Sequence, residues 1–252
     1  MDEEKLNWLL LRGLAREQQH WGEFPQWLHT LPGCGDVVSL DLPGAGTQWR
    51  RRSPLSIAGI TDDVRARLPS NKGPWVVIAL SLGAMVALDW CSRYPHDFTF
   101  AVLVNATARG CCPLWQRLRW RAVIALSRMA FYSVERRESA VYQLTTALHH
   151  DQAAIAQHWL AIYRQHPVHR INIVRQLFAA GRFRVPVGSM RTPALVLASK
   201  KDGLAHFSCS ENMAQQLDAP LELHEHAGHD LPLDDPRWIV DRLKKYISIR
   251  SC

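Results

Sequence analysis

The chain has 252 residues, is 47% hydrophobic and 21% charged, and carries a net charge of +7. It is long enough for one large α/β domain or two small ones, and long enough to bury a core without disulfide or metal staples. The acidic start "MDEEKLNWLL" excludes a secretory leader, and no apolar run approaches the ~18 residues of a membrane-spanning helix, so a soluble cytoplasmic protein is expected.

In chain order, short apolar runs alternate with amphipathic stretches. "NWLLLR" (7–12), "DVVSLDL" (36–42), "WVVIAL" (75–80), "FAVLVNA" (100–106), "ALVLAS" (194–199) and "LELHEH" (221–226) read as strands. Several are apolar on both faces, as strands of a parallel sheet covered by helices should be. Helical periodicity falls over Ile57–Leu68, Leu82–Arg93, Cys209–Leu217 and Pro236–Ile247, the last opened by "DDPRW". This alternation predicts a doubly wound, mostly parallel sheet. Between the fourth and fifth strands the rhythm breaks. "LWQRLRWRAVIALSRMAFY", "ESAVYQLTTALHH", "DQAAIAQHWLAIYRQH" and "HPVHRINIVRQLFAAG" all read as helices, and Pro186 and Pro193 mark the return to the sheet. The expected organisation is a core of residues 1–108 and 187–252 with a helical insert over 109–186.

The charge is uneven. Arg109 to Arg191 holds thirteen arginines, no lysine and three acids, a net of +10 that leaves −3 for the rest of the chain. A basic middle inside a slightly acidic frame points to an acidic partner or substrate, such as an acidic acyl carrier. No nucleic-acid-binding motif accompanies it, so nucleic acid is not the expected partner. The six cysteines, Cys34, Cys91, Cys111, Cys112, Cys209 and Cys252, are scattered and contain no C-x-x-C, so reduced thiols are expected. Asn105-Ala106-Thr107 matches a glycosylation pattern, but at a strand end in a cytosolic chain it carries no meaning.

The chemistry centres on "Ala79-Leu80-Ser81-Leu82-Gly83", which joins a strand to a helix. Such a turn strains the backbone of its central residue and needs small neighbours; it is a form of the G-x-S-x-G elbow with Ala first. The helix that follows turns its positive N-terminal end toward the serine. A serine hydroxyl needs a base, and the base needs a partner that sets its tautomer. Asp202 follows the fifth strand and His229 follows the sixth, in the order Ser, acid, His, and parallel strands bring all three to one sheet edge. The alternative, a metal at "His224-Glu-His226-Ala-Gly-His229", lacks the further downstream histidines such sites use, so no metal and no cofactor are expected. His224 and His226 read as strand residues sharing a face, Asp234 and Asp235 as caps of the last helix, Asp41 as a turn residue, and "His149-His150-Asp151" as a helix end and the next N-cap.

These pieces, with "LLRGLAREQQHWGEF", "LDLPGAG", "SKKDGL" and "AGHDLPLDDP", resemble an α/β-hydrolase carrying a helical cap. The resemblance implies that the backbone N–H groups of Leu14 and Leu82 form an oxyanion hole. That family's usual His-Gly in the first loop is Arg12-Gly13 here, and Arg12 could reach an anionic group on a substrate; His206 is a second candidate for lining the pocket. The implied activity is a serine esterase or thioesterase acting through an acyl-enzyme at Ser81, on an anionic or carrier-linked acyl group. In its triad and basic cap the chain is similar to the esterase acting on pimeloyl-carrier methyl esters and to the menaquinone-pathway lyase. The alternatives are lyase chemistry of that kind with the same triad, and a hydrolase-like protein that binds without catalysis.

Overall fold

The computed structural model describes all residues except 1–4, 71–72, 149–150, 186–187, 189 and 249–252; His149, His150, Pro186, Cys252 and the expected boundary at 186/187 lie outside the described residues. Six strands, β1 (Leu6–Leu11), β2 (Cys34–Ser39), β3 (Trp75–Leu80), β4 (Phe100–Val104), β5 (Ala194–Ser199) and β6 (Leu221–His224), form one sheet in the order β2-β1-β3-β4-β5-β6. Every pairing is parallel.

Side chains alternate across the pleat, so each strand feeds two cores. Leu9, Leu11, Val77, Ala79, Leu103 and Val196 pack on one face with α2 (Ile57–Arg65), α3 (Leu82–Arg93) and α9 (Ser208–Leu217). Trp8, Leu10, Val76, Ile78, Val102 and Leu197 pack on the other with α1 (Phe24–Leu28) and α11 (Pro236–Ser248). This double burial is why β3 reads as an unbroken apolar hexad and β5 as an apolar run closed by Ser199. The register aligns the strand ends: Leu11 pairs with Ala79, Leu80 with Val104, Val104 with Leu197, and Ser199 with His224. The residues that follow each strand therefore emerge side by side along one edge.

Among the described residues, five helices lie between β4 and β5: α4 (Leu114–Arg117), α5 (Trp120–Met129), α6 (Val134–Thr145), α7 (Gln152–Gln165) and α8 (Arg170–Arg182). Tyr142, Trp159 and Ile162 give α6 and α7 a small core of their own. The run expected as one helix from Leu114 is broken at Leu118, where the chain turns extended. There Arg119 docks on the sheet edge, its N–H donating to the Leu204 carbonyl and its guanidinium to the Asp202 carbonyl, each at 2.8 Å. Asp151 caps α7 as expected, accepting from the N–H groups of Ala153 and Ala154.

Two expectations are corrected. Edge strand β2 begins at Cys34 rather than Asp36 and ends before Asp41, whose carboxylate instead accepts from the N–H groups of Gln18 and Thr47. The thiols are not all reduced: Cys112 and Cys209 form a disulfide with Cα atoms 5.3 Å apart, joining the start of the insert to α9. This removes the thiol argument for a cytoplasmic location. No helix among the described residues is long and apolar enough to cross a membrane. The bridge spans 97 residues, a separation for which chain-entropy arguments give about 4–5 kcal/mol. Cys112→Ala should lower stability by about 2–5 kcal/mol in denaturant titration, with the gap closing when the parent protein is reduced. An unchanged midpoint in oxidising buffer would count against the bridge.

Candidate active site

Ser81 sits between β3 and α3 with φ 58° and ψ −114°, a left-handed conformation that costs a non-glycine residue about 1–3 kcal/mol. Its N–H donates to the Val104 carbonyl at 2.9 Å, and its carbonyl accepts from the N–H groups of Ala84 and Met85. The small neighbours have specific causes. A Cβ on Gly83 would meet the Leu11 carbonyl oxygen at 2.4 Å, and one on Gly13 would meet the Ser81 Cβ at 3.2 Å. The elbow is thus wedged against the end of β1.

Asp202 and His229 occupy the loops after β5 and β6. Asp202 Oδ1 accepts from the N–H groups of Leu204 (2.7 Å) and Ala205 (2.9 Å), which aims Oδ2 at His229 Nδ1, 2.7 Å away. Both side chains are buried. Burial alone would push the His229 pKa down; the carboxylates of Asp202 and Asp230 outweigh it and hold the pKa above the ordinary value of 6.5. With Nδ1 committed to Asp202, Nε2 is the nitrogen left for a hydroxyl.

Ser81, His229, Leu14 and Leu82 line one cavity of about 610 Å³. Leu14 follows Gly13 in the loop after β1. Leu82 is the first residue of α3, where the helix itself offers its amide no acceptor. The far walls belong to the insert: Leu118, Leu126, Met129, Val141, Leu144 and Ile173 face the same space.

Arg12, expected as a contact for substrate anions, also lines the cavity, but both its terminal nitrogens donate to the Asp230 carboxylate, at 2.9 and 2.6 Å. The pair is buried, and the guanidinium lies 4.9 Å from the Trp21 ring centre. His206 is placed elsewhere. Its ring stacks on Phe207, and Nδ1 meets the hydroxyl and N–H of Ser208 at the start of α9; it is not among the residues lining this cavity. The neighbouring Arg16 donates to Glu138 Oε2 at 2.6 Å and lies 3.0 Å from His20 Nε2. Burial, with Arg16 and Arg12 close by, lowers the His20 pKa well below its usual value.

The remaining histidines and acids form no metal site: no group of three or more His, Cys, Asp or Glu side chains among the described residues could hold an ion. His224 ends β6, its Nδ1 accepting from the N–H groups of His226 and Ala227, whereas His226 lies beyond the strand and is exposed. Asp235 caps α11 through the N–H of Trp238, as expected. Asp234 does not cap that helix; it is buried and accepts from the N–H groups of Gly228, Ala147 and Leu148, and burial raises its pKa.

Sequence reasoning missed two supports. Asn105, dismissed as a chance glycosylation pattern, is buried in a left-handed turn at φ 46°. Its amide nitrogen donates to the His229 carbonyl at 2.8 Å and to Ser199 Oγ, and its oxygen accepts from the Ser199 N–H. It therefore clamps the acid and base loops together. The signal was an asparagine closing a buried strand, a residue type that tolerates positive φ. The second support is the end of α6. A Cβ on Gly203 would come 2.5 Å from the Leu144 carbonyl oxygen, and one on Gly228 2.6 Å from that of Thr145. The Asp230 N–H donates to the Thr145 carbonyl at 2.8 Å.

The chain is similar to known proteins along most of its length. A Rhizobium rhizogenes protein provisionally named carbamate hydrolase RutD is 24% identical, over 96% of this chain and 93% of that one. Among solved structures, the esterase RhEst1 of a Rhodococcus species has a TM-score of 0.74 at 20% identity, covering 97% of this chain and 90% of its own. A provisionally named aryl esterase of Burkholderia cenocepacia has a TM-score of 0.79 at 18% identity, covering 98% and 91%. At such identities the structures establish the shared fold alone. The sequence model of the alpha/beta hydrolase family matches residues 8–242, nearly the whole chain, and this protein belongs to that family.

Proposed function

We propose that the protein is a serine hydrolase that cleaves a carboxylic ester or thioester through an acyl-enzyme at Ser81, beneath a cap formed by α4 to α8 (the insert of 109–186). The observation that carries this reading is the 2.7 Å Asp202–His229 contact, buried at the wall of the cavity into which the Ser81 elbow projects. His229 Nε2 takes the Ser81 proton as Oγ bonds to the substrate carbonyl carbon, and the carbonyl electron pair moves to oxygen. The amides of Leu14 and Leu82 receive that oxyanion. Collapse of the intermediate expels the alcohol or thiol, which takes the proton back from His229. Water then repeats the sequence on the acyl-enzyme and releases the acid.

The apolar insert walls favour an uncharged acyl chain. The five arginines that line the cavity have protein partners: Arg12 has Asp230, Arg16 and Arg137 share Glu138, and Arg117 and Arg170 donate to the Ala180 and Ala130 carbonyls. Three of the five are thus matched with carboxylates, and Arg117 and Arg170, bonded to neutral carbonyls, are the two whose charge stays open to an anionic group on the substrate. The related RutD carries a carbamate hydrolase name, and a carbamate presents the same kind of electrophilic carbonyl, so it is the second substrate class to assay.

A fluorophosphonate probe followed by peptide mass spectrometry tests the chemistry: the label should sit on Ser81, and p-nitrophenyl butyrate should be turned over. Folded protein that leaves Ser81 unlabelled would overturn the reading.

A further inference from the structure

Helix α8 is inverted in polarity. Its inward face carries Asn172 and Gln176, both buried. Asn172 accepts from the Ser53 N–H and donates to the Arg51 carbonyl; Gln176 donates to the Pro43 carbonyl and accepts from the Ala15 N–H. With its amides spent on the core loops, α8 leaves Ile171 and Phe178 exposed on its outer side, and Val174 and Leu177, at 60% and 44% exposure, where they also line the active-site cavity. A soluble surface rarely leaves such a stripe open unless something covers it.

The neighbouring helices repeat the pattern. On α5, Trp120, Val123 and Ile124 are exposed at i, i+3 and i+4, and Phe131 continues the stripe just beyond the helix at 91% exposure; on α4, Leu114 and Trp115 are both about 70% exposed. Two arginines tie the walls at opposite ends: Arg170 at the start of α8 donates to the Ala130 carbonyl after α5, and Arg117 on α4 donates to the Ala180 carbonyl near the end of α8. Between these ties, Leu118 and Leu126 on one side and Val174 and Leu177 on the other line the active-site cavity. Val174 and Leu177 are both exposed and cavity-lining, so the cavity opens through this apolar slot.

The charge on these helices has one sign. Helices α4, α5 and α8 carry six arginines and no aspartate or glutamate. Arg121, Arg128 and Arg182 are exposed, Arg121 lying over Trp120 and Arg182 over Phe178.

We infer that α4, α5 and α8 form a docking face for an anionic lipid surface, with the cavity mouth set against it. Tryptophan, phenylalanine and aliphatic side chains beside snorkelling arginines are the composition of helices that lie in a bilayer interface, and anionic headgroups complement the charge. The apolar face runs without interruption into an apolar cavity, so an acyl chain can pass from the lipid to Ser81 without crossing water. A lipid surface accounts for that continuity; an acidic protein accounts only for the charge. The inference concerns docking and does not depend on the chemistry proposed for Ser81.

The test uses the full chain carrying Ser81→Ala, so that docking is read without hydrolysis, in co-sedimentation with phosphatidylcholine vesicles with and without phosphatidylglycerol. Binding to the anionic vesicles should be stronger by about tenfold or more and should weaken with salt. Trp120→Ser with Phe131→Ser, neither residue lining the cavity, should lower vesicle binding by about tenfold or more. In the Ser81 background the same pair should leave turnover of a soluble short ester unchanged. Folded protein that ignores anionic vesicles, binds both vesicle types equally, or is unaffected by the double substitution would overturn the inference. So would binding of an acidic carrier protein at Trp120 and Phe131 without vesicle binding.

Discussion

Asp202→Asn should lower kcat about ten-thousand-fold with little change in KM, and Ser81→Ala should lower it by at least as much. The carboxylate of Asp202 is held by two backbone N–H groups through Oδ1, so an amide replacement keeps its place. What changes is the face presented to His229. If the amide oxygen stays on the two N–H donors, its NH2 points at Nδ1, and that nitrogen must become an acceptor. The ring proton then moves to Nε2, where it blocks the nitrogen that should deprotonate Ser81. Steady-state kinetics on a soluble ester, with circular dichroism to verify folding, measures the effect. Retention of more than about a tenth of kcat by Asp202→Asn would sink the assignment of the acid. Asp234, buried against Gly228 in the same loop, would then be the next residue to test.

The second large effect is expected at Arg12. Its guanidinium meets Asp230 in a buried bidentate pair, and removing one member of such a pair leaves an uncompensated charge, a loss of about 3–5 kcal/mol. Arg12→Met should show that loss in urea titration. It should also move the pH profile. As the proposed base, His229 would act only when neutral, and its pKa already stands above 6.5, so the parent should lose activity as pH falls through a value higher than an ordinary histidine's. Asp230 helps to raise that pKa and Arg12 opposes it. With Arg12 gone, the acid limb of kcat/KM should shift to still higher pH. The double variant Arg12→Met, Asp230→Leu replaces the pair with apolar groups and should recover most of the stability and reverse the shift. An unmoved denaturation midpoint and an unmoved acid limb in Arg12→Met would show that the pair is without consequence.

The legible parts of the sequence were those whose causes are local. β3 and β5 were readable to the residue because both faces are buried and the runs end at sharp boundaries. β2 starts two residues and ends three residues earlier than expected because an edge strand with half-exposed side chains gives a blurred pattern. Ser81, Asp202 and His229, the proposed serine, acid and base, could be located because each follows a readable strand and a parallel sheet delivers all such positions to one edge. Partnerships across long separations were not legible. Arg12 and Asp230 stand 218 positions apart, and nothing near either one announces the other. The Cys112–Cys209 bridge was hidden in the same way, because spacing alone selects no pair among scattered cysteines. In α8 the periodicity revealed the helix but not its orientation. The usual rule turns the apolar stripe toward the core, and it fails here because the core loops present backbone groups that Asn172 and Gln176 satisfy.

The end of α6 has a consequence for protein engineering. The Thr145 carbonyl, with the amides of Ala147 and Leu148, is seated on the histidine loop, and the Leu144 carbonyl lies against Gly203 beside Asp202. The insert is therefore not an exchangeable module throughout. A chimera that swaps the whole stretch between β4 and β5 for that of a relative would remove part of the scaffold holding the acid and base loops. One that grafts only α5 and α8, and retains Arg119 and the α6–α7 pair with its junction, would alter the walls of the cavity while keeping these supports of the Asp202 and His229 loops.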